Sequence, residues 1–297
     1  MKIVVNVIGG LGNQMFQYAF AYSLSRKLNR SFELDTSDFE TYWHPHKSNS
    51  SWNPYQLNIF QIERELTSHN IQLREINLLN KVIRKLKIIK RKFLKKGYYQ
   101  ESHHNFDKNV FNIQRDVYFV GYWQSERYFE EYREELLKKF TLKTPIHIQT
   151  QKYKKMISSK NSASLHIRRG DYVSDVNTNN FHGVCSLEYY QKAVEYIIQV
   201  SDKTCFYIFS DDLDWAKKNL GFIENKIFVE SDGSMPNYEE MYLMSLCKHN
   251  IIANSSFSWW GAWLNQNNKK VVIAPKKWFN DPLFNTTDVV PVNWTQL

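Results

Sequence analysis

The second half of the chain alternates short apolar runs with helical stretches, and this alternation constrains the fold more than any other feature. Strands separated by helices predict a parallel, doubly wound sheet of the α/β class, because each parallel connection needs a crossover. In such sheets ligands lie beyond the carboxyl ends of the strands. The strand-like runs are 164–167, 205–209, 227–229, 250–253 and 271–274, and helical stretches occupy 186–200, 213–220, 237–248 and 256–265.

Polar segments follow three of these runs, at 168–172, 210–212 and 254–258. Together they hold two adjacent arginines, several carboxylates and a serine-rich helix start. Guanidinium groups clamp phosphates, and the N–H groups of a helix start bind them as well. Singly, each segment is explained by a surface ion pair or a helix cap. Their joint occurrence at successive strand ends favours a site for an anion, with a diphosphate as the natural ligand.

The first half opens as a β-α-β unit, with a strand at 2–8, a glycine-rich loop at 9–12 and Asn13 as the predicted helix N-cap. The loop is similar to a dinucleotide-binding motif, but Met15 stands at the third glycine position, so a dehydrogenase is a weak alternative. A strand at 117–121 leads into a predicted helix at 125–140. We predict two domains, 1–150 and 151–297.

Several classes of protein are excluded by composition. The chain has 297 residues, of which 42% are hydrophobic and 15% aromatic, so it forms packed domains. No apolar run approaches the ~20 residues of a membrane helix, and no secretory signal is present, which predicts a cytoplasmic protein. Three separated cysteines and the spacing of the histidines indicate neither a disulfide framework nor a zinc site.

A basic stretch at residues 80–96 contains nine Lys and Arg and no acid, which equals the formal net charge of +9. Its apolar residues recur at helical spacing, so it reads as an amphipathic helix. Such a helix suits an anionic surface on the inner membrane, and an ordinary solvated helix explains it equally well. Nucleic acid is not expected as a partner, because no binding motif accompanies the charge.

Six motifs, in order, resemble glycosyltransferase family 11, the bacterial α-1,2-fucosyltransferases, and they span nearly the whole chain. The resemblance implies a GT-B fold with two Rossmann-like domains facing a cleft, GDP-fucose as donor, inversion at the anomeric carbon and no metal. The resemblance does not fix the acceptor, and our hypothesis is O2 of a terminal galactose in a surface glycan of the O-antigen or lipopolysaccharide type. The motifs are IGGLGNQMFQYAFA (8–21), GYWQSERYF (121–129), LHIRRGDYV (165–173), FHGVCSLEYY (181–190), YIFSDDLDWAK (207–217) and MYLMSLCKHNIIANSSFSWWGAWL (241–264).

The resemblance also implies a donor site. Arg168 matches the arginine that contacts the β-phosphate of GDP, where negative charge grows as the sugar leaves. Guanine presents two N–H donors, and Glu240 is our candidate to accept them, with Glu239 as the adjacent alternative. The other expected donor-site residues are Gly12, Asn13, His166, Arg169, Asp171, Asp211, Asp212, Asn254, Ser255, Ser256, Phe257 and Ser258.

The general base and the acceptor contacts are less well defined. Asp175 and His182 follow the arginine motif, and either is a candidate base. Trp123 and Gln124 are candidates for acceptor contact, because a Trp face stacks on galactose, although aromatic residues are more often core.

Two other functions remain alternatives. The Asp212-Leu213-Asp214 triplet is typical of a metal-dependent glycosyltransferase, or else of a helix N-terminus. A noncatalytic module that binds anionic glycans or lipids would be built around residues 80–96.

Overall fold

The computed structural model describes residues 2–41, 54–62, 97–102, 105–281, 284 and 286–297. The predicted basic helix at 80–96 lies outside these residues. The chain divides into two compact units, Met1–Lys143 and Thr144–Leu297. The predicted boundary at 150/151 would fall within the helix Ile148–Ser158, whereas the structure assigns this whole helix to the second unit.

The first unit contains a parallel four-stranded sheet in the order β2-β1-β4-β3. Its strands are β1 (Ile3–Asn6), β2 (Phe32–Asp35), β3 (Tyr98–Gln100) and β4 (Val117–Val120), and its described helices are α1 (Leu11–Leu28), α2 (Ser37–Thr41) and α3 (Arg133–Lys139).

Helix α1 begins three residues earlier than predicted. Its N-cap is Gly10, so the prediction of Asn13 as the cap was wrong. Gly9 has φ +79°, and a Cβ there would lie 2.7 Å from Asn13 Nδ2, so the loop requires glycine on both grounds. Most of α1 is buried, including Phe16 and Phe20, so it forms the core of this unit.

The predicted helix at 125–140 is interrupted. Short 3-10 turns at Glu126–Tyr128 and Glu130–Tyr132 precede α3, and Phe129 between them has φ −144°. This non-helical backbone places the ring of Phe129 in the core, 6.0 Å from that of Phe16. Burial of the aromatic side chain thus overrides local helix preference.

The second unit confirms the predicted parallel, doubly wound sheet. Its six strands lie in the order β10-β9-β8-β5-β6-β7. The order reverses beside β5, which is buried along its whole length and flanked by β6 and β8. The strands are β5 (Ser162–Ile167), β6 (Cys205–Ser210), β7 (Lys226–Phe228), β8 (His249–Ile251), β9 (Val272–Ala274) and β10 (Thr295–Gln296).

Helices cover both faces of this sheet. Alternate residues of β5 and β6, such as Leu165 and Ile208, pack on one side with residues of α7 and α8, and the intervening Tyr207 and Phe209 pack on the other side with α9. The helices are α4 (Ile148–Ser158), α5 (Gly170–Ser174), α6 (Val176–His182), α7 (Leu187–Val200), α8 (Leu213–Asn219), α9 (Asn237–Leu246) and α10 (Ser256–Trp263).

Within the described residues, every helix is too short or too polar to traverse a lipid bilayer.

Candidate functional site

Two arginines and two aspartates meet at the carboxyl edge of the second unit. β5 and β6 pair with Ile167 opposite Ser210, so the residues that follow the two strands are neighbours. Arg168 Nη1 lies 2.9 Å from Asp211 Oδ2, and Arg169 Nε lies 3.1 Å from Asp212 Oδ2. The backbone N–H of Arg169 also donates to Asp211 Oδ1 at 2.8 Å. The prediction that these aspartates hold the arginines agrees with this geometry.

The two arginines differ in what they can offer a ligand. The Arg169 guanidinium lies 4.2 Å from the centre of the Trp215 ring, and its side chain is only 19% exposed. The side chain of Arg168 is 35% exposed, and its guanidinium lies over the Tyr172 ring, 5.4 Å from the ring centre. Arg168 is therefore the arginine that an incoming anion can reach, while Arg169 fixes the loop.

Gly170 allows the two loops to approach each other. A Cβ at this position would lie 2.7 Å from Asp211 Oδ2, which is closer than real contacts permit. The glycine of the R-R-G-D sequence is thus required by the Arg168–Asp211 pair. Asp171 follows in α5, and its side chain is not among those described.

Asp212 is engaged by the protein itself. Its Oδ1 accepts a hydrogen bond from the N–H of Trp215 at 3.0 Å and caps α8, and its Oδ2 accepts from Arg169. Asp214 lies in the first turn of the same helix. The Asp212–Asp214 triplet therefore has the geometry of a helix N-terminus. Among the residues with described placement, no group of three or more His, Cys, Asp or Glu is arranged to hold a metal ion.

His166 lies under this edge as a neutral side chain. It is 6% exposed, and its ring centre is 6.0 Å from that of Phe257. Burial is the main cause that lowers the pKa of His166 to about 4; the charge of Asp211 opposes this shift, and that of Arg168 contributes to it. Its Nδ1 has no hydrogen-bond partner within the described part of the chain, so it can take one from a ligand.

The adjacent glutamates of α9 have different roles. Glu239 is 2% exposed and accepts hydrogen bonds from the N–H of His147, at 3.0 and 3.1 Å, and from the hydroxyl of Thr150. It thus binds the start of α4. Glu240 is half-buried and has no hydrogen bond within the described residues. Burial, and then the charge of Asp211, raise the pKa of Glu240 to about 7, so this carboxyl belongs to the same edge.

Most of the 254–258 segment supports the protein rather than facing a ligand. Asn254 is 3% exposed and donates to the backbone carbonyls of His182, Gly183 and Trp278. Ser255 is the N-cap of α10, and the Ser258 hydroxyl donates to carbonyls. The prediction of direct donor contact is corrected for these three side chains. Ser256 and Phe257 are half-buried at the start of α10.

The loop that carries the two candidate bases packs against Arg168 through Tyr172. The His182 ring stacks on Tyr172 with centres 4.5 Å apart and meets the Phe279 ring edge-on at 5.3 Å. His182 is therefore part of an aromatic cluster. Asp175 is exposed between α5 and α6.

In the first unit, Trp123 is a core residue. Its ring is fully buried and lies parallel to Phe20 with centres 4.1 Å apart. No open face remains for galactose, so the prediction of acceptor stacking was wrong for Trp123. Gln124 stays a candidate, since its Nε2 donates to Asn13 Oδ1 at 2.8 Å while its Oε1 lacks a partner among the described residues. Gly12 is buried in α1 beside Asn13.

Three residues of the first unit were missed by sequence reasoning. Gln14 binds the backbone of Gly9, Pro54 and Gln56. Gln17 accepts a hydrogen bond from the N–H of Ile8 and donates one to the carbonyl of Gly121. Glu101 accepts from the N–H groups after β4. The signal for the glutamines was their place among the apolar residues in the first turns of α1.

The sequence matches Glycosyl transferase family 11 over residues 1–297. The chain belongs to glycosyltransferase family 11. It is 36% identical to the alpha-1,2-colitosyltransferase of Escherichia coli, over 99% of this chain and 98% of that protein. It is 37% identical to the Escherichia coli O-antigen biosynthesis glycosyltransferase WbnK, over 91% of this chain and 93% of that one.

The family 11 chain also resembles a solved structure. Crystals of the NodZ alpha-1,6-fucosyltransferase of Bradyrhizobium, soaked with GDP-fucose, contain a chain with a TM-score of 0.50 and 14% identity. The match covers 89% of this chain and 92% of that one. At this identity the likeness concerns the fold, and it identifies the two α/β units as a GT-B fold, as predicted.

Proposed function

We propose that this family 11 glycosyltransferase transfers L-fucose, with inversion, from GDP-fucose to O2 of a terminal galactose in an O-antigen precursor. The observation that carries the proposal is the guanidinium of Arg168, partly exposed at the reversal point of the sheet and held there by Asp211. A diphosphate suits this position, because the positively charged, planar guanidinium can donate two parallel hydrogen bonds to phosphate oxygens. The similarity to WbnK supports the class of acceptor.

Arg168 acts where charge develops in the reaction. The acceptor oxygen attacks C1 of the sugar, and the C1–O bond breaks with its electron pair remaining on the β-phosphate. A guanidinium already oriented by Asp211 stabilises that charge without reorganising. Arg169 and Gly170 keep the loop in place for this role.

Glu240 recognises the base in this proposal. A carboxylate accepts the N1–H and N2–H of guanine side by side, and the side chain of Glu240 has its hydrogen-bonding capacity unused within the described residues. Glu239 is unsuited, because its carboxylate already binds the start of α4. The donor is thus a guanosine diphosphate sugar.

Asp175 is the better candidate for the general base that takes the acceptor proton. It is exposed on the loop that packs beside Arg168, whereas the ring of His182 is stacked within the aromatic cluster. His182 then has the role of fixing that loop through Tyr172.

A second donor, GDP-colitose, is favoured by the similarity to the colitosyltransferase. Colitose is fucose without its 3-hydroxyl, so a site that hydrogen-bonds O3 prefers fucose, and one that excludes O3 prefers colitose. The decisive experiment compares kcat/KM for the two donors with lactose as acceptor and identifies the linkage of the product by NMR. We expect GDP release and a 1,2-linked product with GDP-fucose; absence of GDP release with both donors would contradict the proposal.

The same assay separates the remaining alternatives. We expect unchanged turnover in excess chelator, because Asp212 caps α8 and binds Arg169; loss of turnover would support the metal-dependent alternative. A noncatalytic binding module would release no GDP at all.

We also propose that residues 80–96 bring the enzyme to an anionic membrane that carries a lipid-linked acceptor. Co-sedimentation with anionic and neutral vesicles at low and high salt tests this proposal.

A further inference from the structure

The loop Gly121–Ser125 of the first unit is held by one carboxyl group from a neighbouring strand. β3 and β4 are paired, and Glu101 follows β3 as Gly121 follows β4. Glu101 Oε2 accepts a hydrogen bond from the N–H of Tyr122 at 2.7 Å. Both of its oxygens are also 3.2–3.3 Å from the N–H of Trp123. One side chain thus satisfies two consecutive backbone donors that no strand partner meets.

The backbone of this loop is in a conformation that needs such support. Trp123 has φ +57°, which costs free energy for any residue with a Cβ, and more for a bulky one. A Cβ at Gly121 would lie 2.5 Å from Glu101 Cβ, so only glycine permits this approach. On the opposite side Gln17 Nε2 donates to the carbonyl of Gly121 at 3.0 Å. Glu101 and Gln17 therefore fix the loop from both sides.

Two side chains of this loop, Gln124 and Ser125, carry polar atoms that the described residues leave without a partner. Gln124 Oε1 and the hydroxyl of Ser125 are buried without a hydrogen bond among the described residues. The amide of Gln124 is oriented by its bond to Asn13. Buried polar atoms are normally satisfied, so oriented atoms without partners indicate a ligand with complementary hydroxyl groups. A neutral sugar has such groups.

We propose that Glu101 is a positioning residue for acceptor binding, whose carboxylate holds the loop Gly121–Ser125 so that Gln124 can hydrogen-bond the acceptor sugar. The inference rests on the proposed function, since it requires that the first unit binds the galactose-containing acceptor. Glu101 itself contacts backbone N–H groups and takes no chemical part in the transfer.

The ionised form of Glu101 performs this role. Burial raises the pKa of Glu101 to about 7, and the hydrogen bonds from Tyr122 and Trp123 oppose the rise. Protonation removes the charge that strengthens both hydrogen bonds, and it adds a donor where the loop offers only donors. The titratable groups around Glu101 among the described residues are the phenols of Tyr99, Tyr122 and Tyr128 and the carboxyl of Asp107. Acceptor binding should therefore weaken as the pH falls through about 7.

The experiment compares Glu101→Gln with the matched control Glu33→Gln. Glu33 lies in β2 of the same sheet and pairs only with Lys2 in the part of the chain that is described. KM for lactose and for GDP-fucose, kcat, GDP affinity and melting temperature are measured at pH 6, 7 and 8, with the donor saturating. We expect KM for lactose to rise ~10-fold in Glu101→Gln at pH 8, with GDP affinity within ~2-fold of the wild type. Glu33→Gln should match the wild type in every measurement.

The pH profile separates a positioning role from a merely structural one. In the wild type, KM for lactose should rise from pH 8 to pH 6, and in Glu101→Gln it should be high and independent of pH. A wild-type KM for lactose in Glu101→Gln, or equal losses of lactose and GDP binding, would overturn the inference. If the variant does not fold, a wild-type KM for lactose that is constant from pH 6 to 8 overturns it equally. Wild-type protein that releases no GDP would instead contradict the proposed function.

Discussion

The carboxyl edges of the two sheets are built from different chemistry. In the second unit the residues after β5 and β6 are charged and pair with one another, as Arg168 does with Asp211. In the first unit the described residues at this edge include amides, such as Gln124 and, from α1, Gln17. They also include carboxyls that accept hydrogen bonds from neutral donors, as Glu101 does from the N–H of Tyr122 and Asp35 from the hydroxyl of Tyr118. Both sheets are parallel, so topology alone does not determine this difference.

The difference indicates which kind of ligand each edge can bind. An aspartate beside each arginine keeps the guanidinium oriented and offsets its loss of hydration. Such a group suits a ligand that carries its own charge. Amides that fix the backbone and leave a few polar atoms without partners suit a neutral ligand rich in hydroxyl groups. The proposed reaction needs both kinds of surface, because GDP-fucose carries a charged diphosphate and the proposed acceptor is a neutral sugar.

The largest effect that we expect is the loss of transfer in Arg168→Ala. Removing a group that stabilises charge in the transition state costs ~3 to 4 kcal/mol, or about 100- to 1000-fold in rate. The fold should survive, because Arg168 is partly exposed and not part of the core. Steady-state rates with saturating GDP-fucose measure the effect. Arg168→Lys should also be slow, since an ammonium group lacks the bidentate fork.

The control for this variant is Lys217→Ala, which removes an exposed cation of the same unit that pairs with Glu230. Its rate should equal that of the wild type. Near-normal turnover of Arg168→Ala would mean that the charged edge does not contact the donor phosphates.

The next effect separates the two neighbouring glutamates of α9. Glu240→Gln replaces an acceptor oxygen by an amide that opposes the guanine N–H groups, so GDP affinity should fall by ~1.5 to 3 kcal/mol, about 10- to 150-fold. Glu239→Gln should instead lower the melting temperature, because Glu239 binds His147 and Thr150. Calorimetry with GDP and thermal unfolding of both variants measure the contrast. The reverse pattern would assign base recognition to Glu239.

A pH dependence of donor binding should follow from the same carboxyl. The pKa of Glu240 is about 7 without ligand, and guanine binds its ionised form, so binding must release a proton below pH 7. The affinity should therefore be constant above pH 7 and fall by at most ~10-fold for each pH unit below it. GDP-fucose is the proper probe, because its diphosphate diester, unlike a terminal phosphate, does not titrate near pH 6. Glu240→Gln should bind weakly at all pH values; a wild-type profile in that variant would contradict the assignment.

Part of this site could be predicted from the sequence, because its signal is local. Arg168, Asp211 and the serine-rich helix start each follow directly after an apolar run, and parallel strands bring such positions together. The strand pattern alone therefore indicated the charged edge. The glycine at 170 had a similarly local signal, as part of the arginine motif.

The rest depended on contacts between distant residues. Glu239 and Glu240 differ only in which of them reaches the start of α4. The amide of Asn254 donates to the carbonyls of His182 and Trp278, whereas its place after an apolar run had suggested contact with the donor. The ring of Trp123 is buried because Phe20 covers it, and residue type alone could not distinguish this from a sugar-stacking surface.

The smallest effect that we expect is a different response of the two substrates to salt. The guanidinium of Arg168 is partly exposed, so its attraction for a diphosphate is screened as the Debye length shortens. Between about 0.05 and 0.5 M salt, KM for GDP-fucose should rise by ~2- to 5-fold. KM for lactose should stay constant at saturating donor, because a neutral sugar that contacts amides has no charge to screen. Arg168→Ala should lose much of the salt dependence of GDP affinity. If KM for lactose rises as steeply as KM for GDP-fucose, the two edges do not divide the substrates by charge.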